Sequence, residues 1–384
     1  MATFDFTPEQ EALRGAVAAL GAKYGHRYYI EKAKSGGHTT ELWAEAGKLG
    51  YLGASVPAEY GGGGGGVTEL AIICEELAAA GSPLLLLVVS PAIVATIIAR
   101  HGTEEQRKQL LPAFADGSLK VVFAITEPEA GSNFHKLGTT AQRAGDDWVI
   151  SGRKCFISGV DEAPYVLVVA RTPAEGRLVP ALFLVPTDAA GLTKSKIDME
   201  ITSPENQWMV YLDDVRVPAD ALIGDGSSGL PALFSGLNPE RITVAAMSVG
   251  TGRYALSRAT SYTSTRSVWG RTIGSHQGVS HPLAHAHIQV ELARLMVYKA
   301  AGLYDEGRDI EAGVAANMAK YAAADAAALA VDTAIQAHGG NGMTTEYGVA
   351  TLLGGVRAGR IAPVSREMIL NYISQHVQAQ EKSY

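Results

Sequence analysis

The sequence predicts a mainly α protein with a small β-barrel in its middle. Three observations carry that reading. Apolar residues recur at helical spacing before about residue 120 and again after about residue 229. Between those points, short β-branched runs alternate with glycine, proline and aspartate. The chain has 384 residues, which is two or three domains at roughly 100–200 residues each. The changes of pattern divide it into an N-terminal helical domain over 1–120, a middle barrel over 121–228 and a C-terminal helical bundle over 229–384.

Taken in order, Thr7-Pro8-Glu9-Gln10 is a capping box with proline at the first helical position, and Leu13, Val17 and Leu20 follow on one face. Gly61 to Gly66 is an unbroken run of six glycines. It predicts a flexible loop, either a linker or the edge of a cofactor site. A helix follows over about Val67–Ala80, then an apolar stretch over Leu84–Ala99 that reads as buried helix. That stretch is shorter than the ~20 residues a bilayer needs and contains Ser90, Pro91 and Thr96. Thr103 opens another helix that ends near Gly117. Strand-like runs come at 121–126, 148–150, 166–169, 182–185, 210–212 and 215–217. From Gly229 the chain turns helical again. Ile288, Leu292 and Leu295 lie at i, i+4 and i+7, Ala315–Ala334 is alanine-rich, and Met368, Ile369 and Tyr372 mark a last helix.

Composition narrows the function classes. Charged residues make up 18%, which predicts extensive subunit contacts, and the net charge is -7. There is no basic excess to meet nucleic-acid phosphates. Cys74 and Cys155 cannot build a disulfide framework, and the first six residues lack a basic, apolar leader, so the expected compartment is the reducing cytoplasm.

Four constellations bear on chemistry. The segment Ala124–Asn133 follows a strand, offers the Thr126 and Ser132 hydroxyls, and has Gly131 where a backbone could approach a ligand. It reads as a flavin or pyrophosphate loop or as an ordinary hairpin loop. His281, His285 and His287 include an i, i+4 pair, but no third ligand accompanies them and no metal is expected. Ser132 sits outside any G-x-S-x-G elbow, so a serine hydrolase is unsupported. Asn238-Pro239-Glu240 reads as a helix start, with Asn238 as cap and Glu240 as dipole partner, or as a rigidly placed general base at Glu240.

Several segments, in order along the whole chain, resemble the acyl-CoA dehydrogenase family. They are Leu52–Gly62, Ile125–Asn133, Lys154–Gly159, Arg266–Gly270 with Ile273–Gln277, and Gln336–Gly342. The resemblance implies a helical domain, a β-barrel and a four-helix bundle, non-covalent FAD shared between subunits, and a homotetramer. It assigns Phe123, Ile125, Thr126, Gly131, Ser132, Phe156 and Ser158 to the flavin and pyrophosphate. Arg266, Trp269, His276, Gln277, Gln336, Gly339 and Gly340 would grip the FAD tail across an interface, arginine pairing two phosphate oxygens at once. Ser365 and Glu367 match positions reaching the adenosine, and Ser132, Asn238 and Arg241 match substrate contacts.

The implied reaction is α,β-dehydrogenation of a fatty or branched-chain acyl-CoA to a trans-2-enoyl-CoA, with electrons passed to an electron-transfer flavoprotein. The chain departs from the family at two points. Pro363 occupies the position where many members carry the base, and proline cannot take a proton. A minority, including isovaleryl- and long-chain-type enzymes, carry the base where Glu240 stands, so Glu240 is the expected base. Gly354-Gly355 replaces a usual arginine-aspartate pair. The competing readings are an enoyl-CoA-type reductase, an oxidase, a flavin monooxygenase and a non-catalytic subunit. Glu240 counts against the monooxygenase, and Glu240 with Arg266 against the non-catalytic subunit.

Overall fold

The computed structural model describes residues 6–174, 177–224 and 229–382. The start of the N-terminal stretch read above for a leader, residues 1–5, lies outside them. The chain runs through helices, then strands, then helices again. Helix α1 (Pro8–Ser35) opens on the expected capping box, with Thr7 Oγ1 accepting from Gln10 N. It kinks where Gly25 takes φ 69°, ψ 179°, a conformation open to glycine. Then come α2 (Thr40–Lys48), α3 (Val67–Ala79), α4 (Leu85–Leu87), α5 (Thr96–His101) and α6 (Glu104–Ala115).

Two N-terminal expectations need correction. The apolar stretch is helical and buried, but Val88–Ala95 between α4 and α5 is a π-helix containing Pro91. A proline has no N–H for the i−4 carbonyl and its ring crowds that carbonyl, so the wider turn relieves both. The six glycines are a bonded turn. Gly63 N donates to Gly53 O at 2.9 Å, Gly64 N to Val56 O at 2.9 Å and Gly65 N to Ala54 O at 3.0 Å. None of the six lines the large cavity described below.

The middle holds β1 (Val121–Ala124), β2 (Thr140–Ala144), β3 (Asp147–Ser158), β4 (Tyr165–Ala174), β5 (Arg177–Pro186), β6 (Leu192–Ile197) and β7 (Gln207–Val217). They form one curled sheet in the order β1-β4-β2-β3-β7-β6, with β5 on the other edge of β4. β1 runs parallel to β4, while β3 pairs antiparallel with β2 and β7.

The C-terminal part packs α7 (Gly229–Thr265), α8 (Gln277–Asp305), α9 (Asp309–His338), α10 (Leu352–Ala358) and α11 (Arg366–His376). A two-stranded hairpin, β8 (Ser267–Val268) and β9 (Arg271–Thr272), joins α7 to α8. On α9, Ala312, Ala316, Ala319, Ala323, Ala327, Ala330 and Ala334 are all fully buried. Small residues at i+3 and i+4 spacing let α7 and α8 close on it. Among the described residues, no helix is long and apolar enough to cross a membrane.

Candidate active site

The loop after β1 is held by a buried charge. Lys154, fully buried on β3, donates to Glu127 Oε1 at 2.8 Å and to Ile125 O at 3.1 Å. Glu127 also accepts from Thr139 N at 3.0 Å and Thr139 Oγ1 at 2.6 Å. Burial pushes Glu127 up, but Lys154 and these donors outweigh it and leave its pKa below the usual carboxylate value. Burial pulls Lys154 down to about 8. Cys155 N then donates to Thr126 O at 2.9 Å. A register break between Lys154 and Ile157 turns the strand, and Phe156 takes φ +57° with its side chain exposed. Non-glycine residues in that region store strain and concentrate at functional sites. Ser158 Oγ exchanges a hydrogen bond with the Gln207 amide.

The second wall is α7, and here the sequence reading is corrected. The helix already runs from Gly229, so Asn238 is not its cap and Glu240 is not in its first turn. Pro239 is interior. Its missing N–H leaves Ser235 O free, and Tyr304 Oη donates to that oxygen at 2.8 Å. Asn238 serves its neighbours, with Oδ1 accepting from Arg241 Nη1 at 2.9 Å. Arg241 Nε is buried with no hydrogen-bond partner among the described residues. Among the described residues nothing hydrogen-bonds or ion-pairs with the Glu240 carboxylate. Burial raises its pKa to about 7, against the opposing pull of Arg241 and Lys320.

Between these walls lies a cavity of about 1920 Å³. It brings together Phe123, Ile125, Thr126, Gly131, Ser132, Phe156, Ser158, Asn238, Glu240, Arg241 and Ser365, and Pro363 lines it too. A Cβ built on Gly131 meets nothing within 4 Å. That open space, the volume and the bared Phe156 ring suit a flat aromatic cofactor together with a long substrate. Ser365 caps α11, accepting from Met368 N at 3.3 Å, while Glu367 is exposed and does not line the cavity.

The remaining candidates form a separate patch. Arg266, Trp269, His276, Gln277, Gln336, Gly339 and Gly340 do not line the cavity. They cluster where α7 ends, α8 begins and α9 ends. Tyr262 ties that corner, stacking on His338 with ring centres 4.5 Å apart and accepting from Asn341 Nδ2 at 3.0 Å. Trp269, 90% exposed and at φ +52°, meets the His276 ring edge-on. His281, His285 and His287 are exposed on α8.

The sequence reading missed part of the cavity. The kink in α1 delivers His26 and Tyr29, and Glu205 lies buried beside them, bonded to Leu85 N and Ser203 Oγ. It also missed Lys320, the single lysine or arginine of α9, whose isolation in an alanine-rich helix was the available signal.

Family models described as the acyl-CoA dehydrogenase N-terminal, middle and C-terminal domains match residues 7–118, 122–215 and 227–378. The chain is 59% identical to acyl-CoA dehydrogenase FadE12 of Mycobacterium tuberculosis over 384 residues, covering 100% of this chain and 99% of the relative. Its fold is similar to that of butyryl-CoA dehydrogenase from Megasphaera elsdenii, with TM-score 0.92, 28% identity, and 99% and 100% of the two chains covered. It is similar too to a glutaryl-CoA dehydrogenase from Mycobacterium smegmatis solved in complex with FADH2, with TM-score 0.90, 26% identity, and 99% and 97% covered. On these matches, spanning the chain from end to end, the protein belongs to the acyl-CoA dehydrogenase family.

Proposed function

We propose that this FAD-dependent oxidoreductase carries out α,β-dehydrogenation of an acyl-CoA thioester, with Glu240 as the catalytic base. The observation that carries the reading is Glu240 itself, a carboxylate on the cavity wall with no hydrogen-bond partner among the described residues and a pKa raised to about 7. Such a group is more basic than an ordinary carboxylate and becomes ionised as pH rises through about 7. Pro363, at the alternative base position, lines the same cavity and offers no acceptor side chain.

FAD, when bound, supplies the hydride acceptor. Thr126, Ser132, Phe156 and Ser158 would hold it, together with Phe123, Ile125 and Ser365, which line the same cavity. Arg266, Trp269, Gln277, Gln336, Gly339 and Gly340 hold the tail of a neighbouring subunit's FAD. Asn238 and Arg241 orient the thioester's CoA arm. Val89, Ile93, Phe234 and Val244 line the cavity as well and suit an aliphatic acyl chain. Glu240 takes the proton from the acyl α-carbon. In this reading the chain forms three units over 1–120, 121–228 and 229–384. It works in the cytoplasm as a homotetramer and passes electrons to an electron-transfer flavoprotein.

The test is anaerobic bleaching of the bound flavin by acyl-CoA. The base acts ionised, so the rate should rise with pH through about 7 and fall away below it. Glu240→Gln should keep FAD and acyl-CoA binding and lose about 10²- to 10⁴-fold in bleaching rate. Bleaching at the wild-type rate would overturn the assignment.

A further inference from the structure

Lys320 is 1% exposed and sits on α9, immediately behind the wall that carries Glu240. The packing places it. Gly313 of α9 lies against Asn238 of α7, and Ala327 lies against Gly252, so the two helices run parallel with a constant offset of 75 residues. Lys320 is therefore level with Ala245, little more than a turn beyond Glu240. Helical side chains lean toward the N-terminus, which aims the Lys320 ammonium back toward the level of Glu240. Its Nζ donates to Val364 O, the carbonyl after Pro363. One buried cation thus touches the turn that replaces the usual base and faces the glutamate that takes over its task.

The charges around it are few. Glu240 and Arg241 face it from α7, Asp325 from its own helix and Glu367 from α11. Asp325 is already engaged by Arg360 at 2.7 Å and approached by Arg366 at 3.6 Å. Glu367 is exposed. Arg241 is committed through Nη1 to Asn238. Among the described residues, neither Glu240 nor Glu367 has an ion pair, and of the two only Glu240 is withdrawn from solvent.

We propose that Lys320 is a positioning residue for Glu240: its ammonium fixes the Pro363–Val364 turn and supplies the positive field in which the Glu240 carboxylate works. The proposal rests on Glu240 being the base. Burial holds Lys320 down to about 8 even against the upward pull of Glu240, and Lys320 in turn opposes the rise of Glu240, so each charge supports the other.

The experiment uses FAD-loaded enzyme and stopped-flow bleaching by an acyl-CoA from about pH 6 to about pH 9, the span in which the base titrates. Lys320→Met removes the charge and the hydrogen bond, Lys320→Gln removes the charge and keeps a donor, and Lys320→Arg keeps the charge. Both neutral variants should move the acid limb up by about one unit, the lower end of the effect of a nearby opposite charge. That is a loss of about tenfold at the acid end that recovers at alkaline pH, and Lys320→Arg should restore the wild-type limb. A limb that does not move, a loss that is equal at every pH, or neutral variants that cannot be obtained as folded FAD-loaded protein would overturn the proposal. Glu240→Gln is run beside them. If it bleaches normally, the base assignment has failed. If it does not bleach and the limb stays fixed in the Lys320 variants, the lysine's role alone has failed.

Discussion

Lys154 and Lys320 are both buried, and burial brings both to about 8, yet their surroundings set them apart. Lys154 has a counter-ion at 2.8 Å in Glu127, and the pair braces the loop that presents Thr126. Removing one member strands the other charge in the interior. Lys154→Met should therefore cost about 3–5 kcal/mol of stability and lower FAD occupancy at the same time, read by thermal unfolding and flavin absorbance. Unchanged unfolding would show that the pair carries no such load. The residues alone left Glu240 between dipole partner and base; the family resemblance made it the expected base, with Pro363 at the other base position, and the pattern misplaced the local structure. Asn-Pro-Glu has the chemistry of a helix start. Nothing in those residues tells that Tyr304, some 65 positions on, occupies the carbonyl left bare by an interior proline.

At the scale of elements, the strongly patterned segments were legible and the polar ones were not. The capping boxes at Thr7 and Thr103 mark real helix starts. Strands β2 and β6 have sequences Thr-Ala-Gln-Arg-Ala and Leu-Thr-Lys-Ser-Lys-Ile, too polar to register as strands. Their pairing is supplied by β3 and β7, since propensity yields to tertiary partners in sheets. The glycine run shows the converse. Its composition suggests slack, but a Cβ on Gly62 would fall 2.1 Å from Val56 O and 2.5 Å from Val56 Cβ. Those contacts are to backbone and a core side chain and cannot swing aside. Gly62→Ala should destabilise by about 1–3 kcal/mol, the usual range for overpacking. Gly131→Ala, which meets open space, should leave the unfolding temperature of the cofactor-free protein unchanged. Equal unfolding temperatures for the two variants would return the run to the status of a linker.

For the whole molecule, the exposed surface bears on the expected assembly. Ile288, Leu292 and Leu295 share one face of α8 and are each about half exposed, at 54%, 57% and 48%. The periodicity that marked α8 as a bundle helix was real, but this stripe does not point into its own bundle. A contiguous apolar stripe on a long helix is what a subunit contact leaves bare on one protomer. At the N-terminal end of the same helix stand Gln277 and the Arg266–Trp269 hairpin, the residues assigned to a neighbour's FAD, all outside this protomer's cavity. The two observations make one expectation. If α8 carries the contact and its N-terminal end grips the neighbour's cofactor, assembly and FAD retention must fail together. Leu292→Glu places a charge in the middle of the stripe without touching the cavity. It should shift the protein to smaller species in light scattering coupled to gel filtration, and the dissociated fraction should lose its flavin. Arg266→Ala should act from the other side, lowering FAD content first and loosening the oligomer in consequence. A Leu292→Glu protein that dissociates yet stays fully yellow would mean that each protomer holds its own FAD, and the exposed patch around Arg266 would need another purpose.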